Sequence, residues 1–178
     1  MTTLPTNNIT TERATDLLKD GRPLTDFYVE GKIDLTTSYN WEKEVIIENC
    51  IVDNLVAAGT EFKEPVRLIN SYFKNCNFYA SYFTKGLIID NCTFDNYLEF
   101  QAGGHNKAGS PVIITNNNFK DLVNFFDCWY KSGVTISKNK FHKGTNVLGK
   151  PNNISVTFDV EPNISDNYGQ INSDSEGE

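Results

Sequence analysis

Four cysteines, two histidines and a scatter of carboxylates are the residues of this 178-residue chain able to hold a metal, attack an electrophile or move a proton. Their spacing does not assemble them. No Cys-x-x-Cys or Cys/His cluster is present, and Cys128 stands in Phe125-Phe126-Asp127-Cys128-Trp129-Tyr130, so no metal site is predicted. His105 and His142 lack a neighbouring Ser or Cys in a nucleophile motif. Gly103-Gly104 lacks the Gly-Lys-Ser/Thr of a phosphate-binding loop. An enzyme acting on acidic polysaccharides needs a carboxylate cluster with a cation beside it, and here Asp90, Asp95 and Asp121 are accompanied in the repeat region by Arg67 as the one arginine. The expectation is a non-enzymatic protein with no catalytic residues and no cofactor.

The elements that carry these residues repeat. Val45–Val52, Val66–Phe73, Leu87–Phe94, Val112–Phe119 and Val134–Phe141 share one pattern, and their starts step by 21, 21, 25 and 22 residues. A fixed period of about 20 to 25 residues marks a solenoid. A finer rhythm of five runs inside each unit: Ile47, Val52, Ala57 and Phe62, then Leu68, Phe73, Phe78 and Phe83. Two positions before each stands a small or aliphatic residue, as in Val45, Cys50, Leu55 and Thr60, and alternation turns both members of each pair inward. Cys50 and Cys92 then share a column two coils apart, about 9.6 Å at the usual strand spacing, too far for a disulfide. Asn49, Asn70, Asn91 and Asn116 align in a second column, read as a hydrogen-bonded amide ladder.

Ser71-Tyr72-Phe73-Lys74-Asn75, Cys76-Asn77-Phe78-Tyr79-Ala80 and Cys92-Thr93-Phe94-Asp95-Asn96 resemble pentapeptide repeats, across residues 45 to 141. The coils of 21 to 25 residues depart from four clean fives, with phase slips at Leu98/Phe100 and Val123/Phe125. A pectate-lyase-like β-helix is similar at the level of the Val-x-Ile-x-Asn-x-x-Phe rung. The fold class expected is all-β, a single right-handed parallel β-helix of about five coils with a short N-terminal capping helix. The resemblance implies two narrower roles, an acidic DNA mimic protecting or inhibiting a topoisomerase or a small bacterial or phage antagonist of a toxin or defence protein.

Residues 1–44 are assigned to the cap. Thr11 to Lys19 carries Ala14, Leu17 and Leu18 with Gly21 beyond, the pattern of a short helix with a threonine start and a glycine stop, and 27–35 forms a partial first rung. Residues 45–162 form the β-helix, and 163–178 an acidic, disordered tail.

The formal charge of −7 and the three arginines exclude a broad phosphate-binding surface, so no direct nucleic-acid binding is expected. No run spans a bilayer and the start shows no signal segment, which makes the expected location cytoplasmic. Outward positions carry the functional expectation. Ile46, Ile88 and Ile113, with Ile69 one row over, read as an apolar strip on the first strand of each coil. The strip is covered either by the N-terminal segment, through Leu17, Leu18, Leu24 and Phe27, or by a partner. Ile51, Tyr72, Tyr79 and Tyr82 form a second candidate surface, and His105, Asn106 and Lys107 sit in the 101–110 insertion, where solenoids project binding loops. The expected function is a binding or inhibitory module whose partner is another protein or a second copy of itself.

Overall fold

The computed structural model describes residues 5 and 7–177 and is an all-β parallel solenoid of about six turns with one short helix. Seven strands build its first sheet: Leu24–Thr25, Val45–Glu48, Val66–Ile69, Leu87–Asp90, Val112–Thr115, Val134–Ser137 and Asn163–Ser165. Its register is the one the repeats align: Val45, Val66, Leu87, Val112 and Val134 are direct partners, as are Ile47, Leu68, Ile89, Ile114 and Ile136. A second sheet follows the corner, through Phe27–Asp34, Ile51–Val56, Tyr72–Asn77, Thr93–Phe94, Asn118–Phe119 and Lys140–Phe141. A third runs through Asn40–Trp41, Glu61–Phe62 and Tyr82–Phe83, is bridged by Gly104, and continues as Trp129–Tyr130 and Thr157–Phe158.

The five-residue rhythm decides what is inside. Val66, Leu68, Ser71, Phe73, Cys76, Phe78, Ser81 and Phe83 are all buried in one coil, four inward pairs in a row. Stacking them at the coil repeat aligns like on like: Phe73, Phe94, Phe119 and Phe141 form one offset ring stack with centroids 5.1, 5.2 and 4.9 Å apart. Phe78, Phe100 and Phe125 form another at 5.4 and 5.0 Å, within the separation at which parallel-displaced rings attract.

The corner after the first sheet explains the asparagine column differently from the sequence reading. Asp26, Asn49, Asn70, Asn91, Asn116, Lys138 and Asp166 all have φ between 48° and 62°, the left-handed region that Asn and Asp tolerate best among L-residues. Within Asn49, Asn70, Asn91 and Asn116 the amide-to-amide bond is Asn91 to Asn70, at 2.8 Å. The extended ladder lies one residue further on and points inward. In the column shared by Cys50, Ser71 and Cys92, later coils place Asn117, Asn139 and Asn167. The Asn139 side-chain oxygen accepts from the Asn117 backbone N–H and amide, both at 3.0 Å, and the Asn167 oxygen accepts from the same two groups of Asn139. Their amides also donate to the Ile89, Ile114 and Ile136 carbonyls.

The helix, α1, spans Thr11–Lys19 as the sequence predicts, with Thr10 as its N-cap and the Thr10 hydroxyl accepting from the Arg13 N–H. It ends in a Schellman turn, where Arg22 N–H bonds to the Leu17 carbonyl and Gly21 N–H to that of Leu18 at φ 70°. α1 packs on Phe27–Asp34 and Leu24–Thr25, and its Ala14, Leu17 and Leu18 close the N-terminal end of the core. The N-terminal segment therefore plugs the solenoid's end, as expected of a capping helix, and these side chains are not the cover of the isoleucine strip that was one of its two expected covers.

Both boundaries shift. Leu24–Thr25, Phe27–Asp34 and Asn40–Trp41 pair with the coil that follows, so a turn assigned to the cap belongs to the solenoid, which raises the count from five to about six. The acidic end, expected to be disordered, is placed against the last coils: Asn163–Ser165 pairs with Val134–Ser137, Ser173 N–H bonds to the Thr145 carbonyl, and the Tyr97 hydroxyl lies 2.8 Å from the Glu176 carbonyl. Of the assigned ranges, residues 1–4, 6 and 178 lie outside those described. No helix among the described residues is long and apolar enough to cross a membrane.

Candidate functional site

The isoleucine strip is a cross-strand ladder. Ile46, Arg67, Ile88, Ile113 and Thr135 are successive partners on the outer side of the first sheet, and Ile69 is in the neighbouring row. Each of the four isoleucines is half-buried by its neighbours, and Arg67 reaches Glu44 at 2.9 Å. On the second sheet Ile51 and Tyr72 are also half-buried, and Tyr72 lies beneath Lys120, whose ammonium is 5.7 Å from the ring centroid and 2.5 Å from Asp95. Burial, with Asp95 second, pushes the Tyr72 phenol up to about 12.

Groups able to do chemistry are dispersed and committed elsewhere. Asp90 accepts from Thr115 and Asn116, Asp95 pairs with Lys120, and Asp121 pairs with Lys143 at 2.9 Å. All four cysteines are free and buried, and burial raises the Cys50 thiol to about 11 and those of Cys92 and Cys128 to about 12. Such thiols are not nucleophilic at neutral pH. Among the described residues no three His, Cys, Asp or Glu groups converge as metal ligands.

Aromatic side chains stack instead on the outer side of the third sheet, where Tyr82 and His105 are half-buried and Trp129 is exposed. Inward Phe62, Phe83, Tyr130 and Phe158 leave the alternate positions facing out, and there Tyr82 and Trp129 stand two coils apart. Between them, Gly104 at φ 101° and His105 at φ 56° form a bulge that sets the imidazole in the column. Its centroid is 4.1 Å from the Tyr82 ring and 5.7 Å from that of Trp129, at tilts of 41° and 58°. Trp129 is 42% exposed, its indole N–H donates to Asp159 at 2.8 Å, and the Lys131 ammonium lies 4.5 Å above its ring. Tyr79, 46% exposed, lies just before Tyr82 in the chain. Tyr79, Tyr82 and His105 were legible as candidates. Trp129, Lys131 and Asp159 were not, although Trp129-Tyr130 repeats the outward-inward aromatic pair of Tyr82-Phe83.

The 101–110 insertion carries His105 into this column. Gly103 and Gly104 are buried, and a Cβ on Gly104 would stand 2.6 Å from the Trp129 carbonyl oxygen, so the glycine pair permits close coil contact. Asn106, expected to be a contact residue, is fully buried: its amide donates to the Ser110 carbonyl and its oxygen accepts from Lys131 N–H. Lys107 is exposed at the loop.

Partial burial, with Lys131 second, lowers the His105 pKa from 6.5, while Glu61 opposes. His105 is thus neutral at pH 7. Because the folded-state value lies below the ordinary one, the stability it contributes is fully present above pH 6.5 and falls away as acidification carries the pH down through the folded value. An NMR titration of the His105 ring should give a midpoint below 6.5; a midpoint above it would contradict this packing.

Searches of family models, curated proteins and solved structures find no match to this chain.

Proposed function

We propose that this chain is a non-enzymatic binding module that docks another protein on the outer side of its third sheet. The observation that carries the reading is the contiguous Tyr82–His105–Trp129 column, with Tyr79 at its margin, on an element that presents it rigidly. Trp and Tyr bury large areas at small entropic cost and dominate protein interfaces, and a rim of charged groups such as Lys131 and Asp159 fits the polar border of such a site. The four inward pairs per coil also support the finer reading of a pentapeptide-type solenoid. Lysines interrupt the acidic surface on the third-sheet side, which favours a general interaction role over a DNA mimic.

The test is affinity capture from a native lysate with wild type, Trp129→Ala and Tyr82→Ala as baits. A partner held by wild type should be weakened about 30-fold or more by either substitution, the loss typical of a hot spot. Unchanged retention by both variants, with unaltered melting, would sink the proposal.

A further inference from the structure

Lysine recurs at the corner by which the chain leaves the third sheet. Lys43, Lys63, Lys85, Lys107 and Lys131 each follow that sheet's rung in five consecutive coils. In the N-terminal coils they lie among acids, and Lys63 pairs with Glu61 at 2.6 Å. Lys85 and Lys107 do not, and Lys131 has Asp159 opposite it on the next coil but makes no ion pair with it. Residues 84–89, 106–112 and 131–136 contain Lys85, Lys107 and Lys131 and no carboxylate, so three adjacent corners carry three exposed positive charges on a protein of net charge −7. Among the described residues none of these lysines has an ion-pair partner. They flank the coils that bear Tyr82, His105 and Trp129, so aromatic column and lysine column run side by side.

We infer that this double column is a recognition strip for an extended acidic segment of a partner protein, an inference that rests on the binding-module reading. Two coil steps separate Lys85 from Lys131, about 10 Å, the reach of three or four extended residues at about 3.3 Å each. Glu61 marks the acidic N-terminal coil and Asp159 the C-terminal one, which bounds the strip at that length. Nucleic acid fits poorly, because a strip one lysine wide on an acidic body meets a polyanion whose charge continues far beyond it. The tilted rings offer edges and clefts between which side chains insert, rather than one flat platform for sugar rings. A short peptide matches both columns, with carboxylates toward the lysines and an apolar side chain against Trp129.

The test measures fluorescence polarisation of a labelled peptide alternating Glu and Leu, with polygalacturonate and oligo(dT) as competing probes. Wild type should bind the peptide with salt-sensitive affinity, and the Lys85→Glu/Lys107→Glu/Lys131→Glu variant should bind at least about tenfold more weakly. All three side chains are exposed, so the variant should keep its melting midpoint. Absence of peptide binding, equal binding by the variant, or tighter binding of polygalacturonate or oligo(dT) would each overturn the inference. The capture experiment separates the two readings: a partner lost with Trp129→Ala but held by the triple lysine variant overturns the acidic-segment inference alone, whereas a partner indifferent to both Trp129→Ala and Tyr82→Ala overturns the module itself.

Discussion

Phe119→Ala should destabilise the protein by about 3–5 kcal/mol, the usual cost of emptying a well-packed phenylalanine site. Phe119 is 1% exposed and stands third in the four-ring stack, with Phe94 at 5.2 Å on one side and Phe141 at 4.9 Å on the other. Truncation removes two ring contacts as well as buried area. The hole cannot collapse easily, because the backbones above and below are held at the coil repeat by in-register pairing of Asn118 and Phe119 with Thr93-Phe94 and Lys140-Phe141. A solenoid couples each coil only to its neighbours, so a mid-stack cavity weakens two interfaces and divides the molecule. Urea titration followed by far-UV circular dichroism measures the loss, with exposed Tyr79→Ala as a control that should stay within about 0.5 kcal/mol. A Phe119→Ala cost below about 1 kcal/mol would show that the stack is not packed as described.

Asn139→Leu, close to isosteric, should cost about 3 kcal/mol or more, although it places an apolar side chain in an apolar core. The Asn139 oxygen is the acceptor for the Asn117 backbone N–H and side-chain amide, and its own amide donates to the Ile114 carbonyl. Leucine removes the acceptor of the Asn117 backbone N–H and of one Asn117 amide hydrogen, the other staying on the Ile89 carbonyl, and removes a donor from the Ile114 carbonyl, each loss at about 1–3 kcal/mol inside the solenoid. Thermal unfolding of Asn117→Leu, Asn139→Leu and the double variant Asn117→Leu/Asn139→Leu separates the terms. The double variant removes the Asn117 amide along with the group that satisfied it, so it should cost less than the sum of the two singles. Strict additivity would mean that the ladder does not act as a connected unit.

The parts of the fold legible in the sequence are those where inward residues repeat. Val45, Val66, Leu87, Val112 and Val134 align in the sequence and are partners in space, because a slip of one residue would turn the apolar set outward. α1 was legible because its stop and its buried face are local: Gly21 ends the helix, and Ala14, Leu17 and Leu18 lie on one side. The inward asparagines were not legible: the column of Cys50 and Cys92 passes to the polar Asn117 and Asn139, and only the adjacent coil supplies the backbone groups that make them at home in the core.

The sequence by itself determined the parallel solenoid and its rungs from Val45 to Phe141, since these depend on periodicity and on residue type. Tertiary structure alone decided which outward residues meet. Tyr82, His105 and Trp129 are separated by 23 and 24 residues, and a glycine bulge that breaks the five-residue phase brings them into one column. Outward positions face no packing constraint that would impose a pattern, so their neighbours become visible only once the coils are stacked.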